Sequence, residues 1–437
     1  MDVATDREAV AEFVKGVLDG TGWEIARIRE RGTRFEPPDW FWTTFAVDIN
    51  KDEEKRDLRL VAKGALNPDA WSSLSERLME RGAGNKCDPV NGVGYPVLFP
   101  ETQHAYWFYP FDPRMPKLHV ATDPTHIAGV LFGLEGDPTG VADTFPPVQV
   151  ERVRYTPEVG AIIAYTIDVA GVPRKIFGKV QPGRRGIRTY RIAEGMWRAA
   201  ARYPEGYLNL ARPLGYIEEL GLLLEEGAPG RPVSSRRTSA QHALLPNAAA
   251  EALAVIHESG VEADERIDLE AELERLDRVI EQFAYVLPNG HFLLRDLVTH
   301  MRQIVRKTPE EEWLPTHGDL KYDQFMVHND RFTLLDFDYF AIAETSYDLG
   351  KFCAYLVPSS PADWQESVAA EEARAEFVRR YRELRPQATL QRFGVYESLQ
   401  LALRAMAFMW SQTRGWEQIA ETFLVLAFER LKSRLPD

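Results

Sequence analysis

Three runs of sequence lie close together in the C-terminal half of the chain: His317-Gly318-Asp319-Leu320-Lys321-Tyr322-Asp323-Gln324, then Leu334-Leu335-Asp336-Phe337-Asp338, then Tyr347-Asp348-Leu349-Gly350. Apolar segments flank Asn329-Asp330, a dipeptide that is typical of a tight turn. The pattern therefore predicts a β-hairpin. Such a hairpin is rigid, and we expect it to hold Asp319 and Gln324 on one side of a cleft and Asp336 on the other.

These side chains are the ones that phosphoryl transfer requires. The transferred group is anionic and makes few covalent demands on the protein, so catalysis consists mostly of positioning and charge neutralisation. One carboxylate must orient the attacking hydroxyl, and Asp319 fits this role. Magnesium prefers hard oxygen ligands, which the carboxylate of Asp336 and the side-chain amide of Gln324 supply.

The same residues resemble the aminoglycoside phosphotransferase and choline kinase superfamily, whose members are relatives of the protein kinases. The shared pattern is a His-Gly-Asp loop, an amide residue five positions after the Asp, a magnesium-binding Asp on the next strand and a further Asp-Leu pair. In this chain the pattern is met by His317-Gly318-Asp319, Gln324, Asp336 and Asp348-Leu349. The resemblance spans about residues 148–433.

The resemblance implies an α+β, bilobal protein-kinase-like fold, with an antiparallel-sheet N-lobe and a mostly helical C-lobe. It also implies a catalytic role for Asp319 and metal binding by Gln324 and Asp336, with His317, Asp338 and Asp348 in support. One position departs from the pattern, since most members have Asn where this chain has Gln324. Glutamine keeps the amide oxygen but adds a methylene group. Maltokinases are similar in this respect, so we interpret Gln324 as the mark of a subfamily.

The residues upstream match the N-lobe of the same superfamily. Lys179 lies in a strand-like run and matches the lysine that contacts the α- and β-phosphates of the nucleotide. Glu194, fifteen residues later on a predicted helix, matches the ion-pair partner of that lysine. The alternative for Glu194 is an exposed pair with Arg198, four positions further along the helix.

Two predicted nucleotide-binding elements of the N-lobe, the hinge and the nucleotide loop, match the superfamily to different degrees. The stretch 222–230 resembles the hinge of the superfamily, where backbone groups of Glu225 and Gly227 are expected to hold an adenine ring. The nucleotide loop is weaker, because the turn between the first two strands, Tyr155 to Gly160, contains a single glycine.

The chain divides into three predicted regions. An extra α+β N-terminal module covers 1–145, the N-lobe and hinge cover 146–232, and the helical C-lobe with the catalytic loop and substrate site covers 233–437. The turn-rich stretch 133–140 marks the first boundary.

Two stretches of sequence suggest an internal repeat. The segments 45–49 and 60–63 resemble 165–169 and 176–179, with offsets of 120 and 116 residues. Chance similarity between two β-rich stretches is the alternative. On the repeat interpretation, residues 1–145 are a degenerate copy of the N-lobe. Lys63 is then catalytically idle, and Lys63→Ala should leave turnover within about twofold, as for a surface change.

Composition excludes several classes of protein. Lys plus Arg is 52 and Asp plus Glu is 66, which gives a net charge of −14. Such an acidic chain is a poor candidate for binding a nucleic acid backbone. Two cysteines exclude a disulfide scaffold. No signal peptide is recognisable and no run approaches the ~18 apolar residues that span a bilayer, so we expect a cytoplasmic protein without a membrane partner.

The sequence thus predicts a small-molecule kinase that transfers the γ-phosphoryl group of ATP or GTP to a substrate hydroxyl, with Mg²⁺. A maltokinase-like sugar kinase is one alternative. A non-catalytic nucleotide-binding regulator is another, favoured by the glycine-poor loop and by Gln324. Retention of Lys179, Glu194, Asp319 and Asp336 together argues against the regulator. The sequence makes no prediction of the acceptor or of the oligomeric state.

Overall fold

The chain forms two compact units in a computed structural model. The first unit comprises Met1–Ile187, Leu214–Glu225 and Trp410–Gln412, and the second comprises Arg188–Pro213, Glu226–Met409 and Thr413–Asp437. The structure describes residues 6–36, 39–80, 82, 87–91, 93–134, 147–169, 171–204, 206–234, 239–358, 367–411 and 414–432. Most of the predicted boundary stretch, 135–140, lies outside these residues, and the division into three regions stays a prediction.

The first unit begins with a helix and a five-stranded sheet. The helix begins after Asp6, whose carboxylate accepts a hydrogen bond from the N–H of Glu8 at 3.0 Å. Val10, Val14 and Leu18 recur at helical spacing and are buried in one cluster with side chains of the sheet. The elements are α1 (Arg7–Leu18), β1 (Glu24–Glu36), β2 (Trp40–Lys51), β3 (Glu54–Ala65), α2 (Pro68–Glu80), β4 (Cys87–Asp88), β5 (Val93–Gly94), β6 (Val97–Phe99) and β7 (His104–Phe108).

A second five-stranded sheet completes the first unit. Side chains of the preceding helix, among them Ile127 and Leu131, are buried in one cluster with Ile163, Tyr165 and Leu222 of this sheet. The elements are α3 (Leu118–Ala121), α4 (Pro124–Leu134), β8 (Gln149–Thr156), β9 (Gly160–Val169), β10 (Val172–Val180), β12 (Pro213–Ile217) and β13 (Leu222–Glu226).

The two sheets have the same strand order. The first runs β1-β2-β3-β7-β6 and the second runs β8-β9-β10-β13-β12. In each, the third strand in sequence is central and leads into a long helix before the last two strands are added. A duplicated sheet has this property, although the common origin of the two sheets stays a prediction.

The second unit is mostly helical. Its core joins the buried face of α6, including Leu253 and Ile256, to Phe352 and Phe377 of later helices. The elements are α5 (Arg185–Ala200), β11 (Asn209–Leu210), β14 (Arg231–Pro232), α6 (Ser239–Glu258), α7 (Leu269–Val286), α8 (Pro288–Val305), β15 (Trp313–Thr316), β16 (Phe325–His328), β17 (Arg331–Leu334), β18 (Ala341–Glu344), α9 (Ser346–Leu356), α10 (Ser367–Leu384), α11 (Phe393–Ser411) and α12 (Trp416–Lys432).

The structure confirms the predicted α+β class, with antiparallel sheets and many helices, and it confirms the hairpin, since β16 and β17 pair antiparallel around Asn329 and Asp330. Several elements were not predicted from the sequence, among them strand β1 and helix α8. Strand β1 is an edge strand with mostly exposed, charged side chains, which hide the alternating pattern of a strand. Helix α8 was also not predicted, although its buried Leu294, Leu297 and Met301 have helical spacing.

No helix among the described residues is both long and apolar enough to cross a membrane.

A buried ion pair ties two helices of the second unit together. The Nε and Nη2 atoms of Arg374 donate to the two carboxylate oxygens of Glu397 at 2.7 and 2.6 Å, and the Glu397 side chain is 0% exposed. Removing one member of such a pair leaves the other charge buried without compensation, so Glu397→Ala should lower the free energy of unfolding by roughly 3–5 kcal/mol. Urea unfolding followed by circular dichroism measures it.

The matched control is Glu383→Ala, which removes a half-exposed carboxylate from an ion pair on the surface of α10. We expect no measurable change there. Equal effects of the two substitutions would contradict a structural role for the buried pair.

Candidate active site

The His-Gly-Asp loop has a backbone conformation that requires glycine at position 318. Gly318 has φ +78°, and a Cβ atom at this position would lie 1.9 Å from the carbonyl oxygen of Tyr339. A side chain is therefore excluded by contact and is strained by the backbone. This close approach brings the loop against the chain that follows Asp336 and Asp338.

The carboxylate of Asp348 holds this loop from the N-terminus of α9. Its Oδ2 accepts hydrogen bonds from the hydroxyl of Thr316 at 2.6 Å and from the backbone N–H groups of His317 at 2.7 Å and Gly318 at 3.2 Å. Asp348 and His317 are both 0% exposed. The contacts agree with the supporting role that the sequence suggested for Asp348, which stays a prediction.

His317 connects the loop to the strand that leads to Asp336. Its Nε2 lies 3.0 Å from the carbonyl oxygen of Leu335, and its Nδ1 accepts from the backbone N–H of Asp319 at 3.3 Å. Because Nδ1 accepts, the proton of the neutral ring sits on Nε2 and is donated to Leu335. The imidazole thus sets the spacing between the segments that carry Asp319 and Asp336.

Two lysines contact Asp319. The ammonium of Lys351 lies 2.8 Å from Oδ1, and that of Lys321 lies 3.1 Å from Oδ2. Burial alone would raise the pKa of Asp319, but the charges of Lys351 and Lys321 outweigh it and hold the pKa below its ordinary value. Lys351 also donates to the carbonyl oxygen of Gly318 at 2.9 Å. This pair of contacts makes Lys351 part of the site.

Neither lysine was predicted from the sequence as a site residue. Lys321 stands inside the His-Gly-Asp run, where its position two residues after Asp319 was a usable signal. Lys351 follows the Asp-Leu-Gly motif by one residue, and only the fold brings it to Asp319.

Gln324 brings the predicted metal-binding and catalytic residues together. Its Nε2 donates to Oδ2 of Asp319 at 2.8 Å and to Oδ2 of Asp336 at 3.3 Å. Asp336 has φ +72°, a conformation that few residues other than glycine adopt and that costs of order 1–3 kcal/mol. The predicted residues Asp319, Gln324 and Asp336 therefore form one hydrogen-bonded set.

The same set can be tested for a divalent cation. Rotation of the Gln324 amide would turn its oxygen toward the carboxylate of Asp336, giving two hard oxygen ligands on converging side chains. Among the described residues no group of three or more His, Cys, Asp or Glu could hold a metal ion. Two protein ligands suit Mg²⁺, which usually takes one or two carboxylates together with substrate phosphates and water.

Asp338 is placed by a helix of the second unit. The hydroxyl of Thr189 in α5 donates to its Oδ1 at 3.2 Å, and Arg188 donates to the carbonyl oxygen of Phe340 at 2.6 Å. These contacts fix the segment that follows Asp336. They agree with a supporting role for Asp338, which stays a prediction.

The predicted nucleotide-binding residues are distributed over both units. Lys179 lies on β10 opposite Ile162, and Glu225 lies near the end of β13, in the first unit; Gly227 follows in the second unit. Glu194 lies on α5 in the second unit and forms an ion pair with Arg198 at 2.7 Å, the alternative that the sequence left open. The nucleotide-binding roles of these four residues stay predictions.

A family model described as the phosphotransferase enzyme family matches residues 195–388. This range contains Asp319, Gln324 and Asp336 together with the three supporting residues. The match agrees with the resemblance that the sequence suggested, and it confirms the predicted enzyme class, a phosphotransferase. The family match does not test the maltokinase-like features that the sequence suggested.

No curated protein sequence matches the chain. Among solved structures, it is similar to a choline/ethanolamine kinase family protein from Mesorhizobium loti, with 14% identity over 70% of this chain and 94% of the other and a TM-score of 0.46. It is also similar to aminoglycoside 2'-phosphotransferase-IIIa in its GDP complex (14% identity, 70% and 98% covered, TM-score 0.46). An amicoumacin kinase in complex with AMP-PNP and Ca²⁺ is a third (16% identity, 64% and 88% covered, TM-score 0.47).

The depressed pKa of Asp319 predicts a pH-dependent contribution to stability. A carboxyl group whose pKa is lower in the folded chain than in the unfolded chain, where it is ~3.9, stabilises the fold fully above the unfolded value. That contribution is lost as the pH falls through the folded pKa. Asp319→Asn should therefore be less stable than the unsubstituted chain at pH 6, and the gap should narrow below about pH 4.

Urea unfolding of both proteins across this pH range measures the gap. A gap that stays constant as the pH falls would show that the two lysines do not lower the pKa of Asp319.

Proposed function

We propose that the chain transfers the γ-phosphoryl group of ATP or GTP to a hydroxyl group of a small-molecule acceptor. One observation carries the proposal: Asp319, Gln324 and Asp336 lie in a single hydrogen-bonded set inside the region that matches the phosphotransferase enzyme family. Phosphoryl transfer needs a carboxylate for the acceptor beside oxygen ligands for a cation, and this set provides both.

Asp319 is the group that meets the acceptor hydroxyl. Its pKa lies below the ordinary value, so the side chain is ionised at neutral pH and accepts hydrogen bonds. A carboxylate offers about four acceptor positions. Lys351 and Lys321 use two of them, and Gln324 uses a third as long as its amide is not turned toward a cation. With these contacts of the described residues, at least one position is left for a hydroxyl.

The proposed transfer needs no reactant other than the nucleotide and the acceptor. The acceptor oxygen forms a bond to the γ-phosphorus while the bond from that phosphorus to the bridging oxygen breaks, and the nucleoside diphosphate leaves with the electron pair. The hydroxyl proton passes to an oxygen of Asp319. Because two lysines lower its basicity, Asp319 acts mainly by orienting the hydroxyl and receives the proton late, when phosphorus–oxygen bond formation has made the hydroxyl acidic.

The remaining roles follow from the resemblance and belong to the proposal. Asp336 and Gln324 would hold Mg²⁺, which when bound neutralises charge on the phosphates. Lys179 would contact the α- and β-phosphates, whereas Glu194 is paired with Arg198. Backbone groups of Glu225 and Gly227 would bind the adenine ring.

Asp319→Asn tests the central role. Phosphate transfer from γ-labelled ATP and GTP would first be screened against aminoglycosides, sugars, amino alcohols and nucleosides. With an acceptor found, we expect the substitution to lower kcat by roughly 10²–10⁴-fold, because orientation and proton acceptance are lost, while nucleotide affinity is retained.

The control is Asp330→Asn, the same exchange at an exposed hairpin residue whose positive φ suits asparagine. Turnover of Asp319→Asn close to that of the control would remove Asp319 from the mechanism. Nucleotide binding by the unsubstituted chain with no transfer to any acceptor would favour the regulator.

Two substitutions at the cation site separate charge from shape. Asp336→Ala removes the only charged ligand of the proposed pair and should abolish the Mg²⁺ dependence of AMP-PNP binding. Gln324→Asn keeps an amide oxygen and should retain binding with a changed preference among Mg²⁺, Mn²⁺ and Ca²⁺. Calorimetric titration with each cation measures both; unchanged Mg²⁺ dependence in Asp336→Ala would overturn the assignment.

A further inference from the structure

The turn between β8 and β9, residues 156–160, is tied to the first sheet of the same unit. It is the turn that the sequence analysis identified as a glycine-poor nucleotide loop. Glu158 stands at its tip with φ +59° and is 8% exposed, an unusual burial for a charged residue in a hairpin turn. What surrounds this carboxylate explains why it is buried.

Lys63 of the first sheet is its principal partner. The ammonium of Lys63 forms an ion pair with Oε2 of Glu158, and the two side chains are 9% and 10% exposed. The same ammonium lies 4.6 Å from the ring centroid of Trp40. Arg77 of α2 adds a second positive charge, with Nη2 3.6 Å from Oε1 of Glu158. Lys63 is therefore buried, so a substitution there is not a surface change, while the expected turnover of Lys63→Ala stays a prediction.

A second set of contacts holds the backbone of the turn. Oδ2 of Asp112 accepts from the N–H of Glu158 at 2.8 Å and from the hydroxyl of Tyr155 at 2.7 Å. The Tyr155 oxygen in turn accepts from the indole N–H of Trp107 on β7 at 3.1 Å. Asp112 is 5% exposed. Side chain, backbone and flanking strand of the turn are thus all bound by residues that precede the second sheet.

Lys63 and Lys179 each lie on the central strand of their sheet, which bears on the role of the ion pair. Lys63 lies on the central strand of the first sheet, between Trp42 of β2 and Ala105 of β7. Lys179 lies on the central strand of the second sheet, which has the same strand order. The first-sheet lysine meets a carboxylate of the second sheet's turn, so its charge is already compensated by protein.

We propose that the first sheet positions the nucleotide loop of the second, with the Lys63–Glu158 ion pair as the positioning contact. The proposal rests on the proposed function for the identity of the loop, whereas the tether itself is a property of the first unit alone. A loop with one glycine has less backbone freedom than a glycine-rich loop to adapt to a phosphate. Here the fixed conformation is imposed from outside, so binding does not require the loop to become ordered.

The double variant Lys63→Met/Glu158→Gln tests this proposal. Lys63→Met alone would leave Glu158 beside Arg77 without its nearer partner, and that variant risks misfolding. The double variant removes both charges with little change of volume. Lys55→Met, an exposed lysine on β3, is the control.

Two measurements on the full chain are needed. Hydrogen exchange of the amides in 155–160 should become at least several-fold faster in the double variant, because the turn is released. If the released turn is competent for binding about a tenth of the time, the Kd for AMP-PNP or GMP-PNP should rise about tenfold. In turnover assays KM for the nucleotide should rise similarly with little change in kcat. Lys55→Met should change none of these quantities.

The possible outcomes distinguish the tether of the turn from its role in nucleotide binding. Unchanged exchange in 155–160 would overturn the tether. Faster exchange with unchanged nucleotide affinity would overturn the positioning role and leave the pair purely structural. If the unsubstituted chain binds neither AMP-PNP nor GMP-PNP, the proposed function fails and the positioning role fails with it, and the exchange measurement alone still decides the tether.

Discussion

A buried carboxylate determines the conformation on which the candidate site depends. Asp348 needs hydrogen-bond donors because a buried carboxylate without them costs several kcal/mol, and the donors available to it are Thr316 and the N–H groups of His317 and Gly318. If the His-Gly-Asp loop changed its conformation, Asp348 would lose these hydrogen-bond donors. Asp319 follows directly, so the direction of its side chain is set by helix α9. Asp348 thus influences the position of Asp319 through the backbone of the loop.

The charge balance around Asp319 constrains what the site can do. Two ammonium groups beside one carboxylate make it a weak base but a well-fixed hydrogen-bond acceptor. A reaction that begins with removal of a proton from an unactivated hydroxyl would need the opposite arrangement, a carboxylate with a raised pKa. Phosphoryl transfer through a loose transition state needs orientation first and proton acceptance late. The site is therefore matched to this reaction class by electrostatics as well as by residue type.

The sequence predicted those parts of the site that depend on local spacing. His317, Asp319, Gln324 and Asp336 lie on one loop and one hairpin, and the chain distance between them leaves few arrangements. Lys351 was missed because its contact with Asp319 depends on the packing of α9, which no local pattern reports. Strand β1 was missed because an exposed edge strand needs no apolar alternation. Lys63 was misjudged for a related reason, since a lysine on a strand is usually solvated and its burial depends on a carboxylate far away in sequence.

Burial of that lysine connects the two sheets of the first unit. An ammonium on a central strand is stable only with a counter-charge, and in a nucleotide site that charge is supplied by phosphate when the ligand is bound. Glu158 supplies it permanently to Lys63, and a sheet whose lysine is compensated in this way has no electrostatic need for a nucleotide. The same strand order can therefore serve two purposes in one chain. In one sheet the central lysine is Lys179, for which the resemblance suggests a contact with nucleotide phosphates. In the other it is Lys63, which holds the neighbouring turn, and the stability of the first sheet becomes dependent on the conformation of that turn.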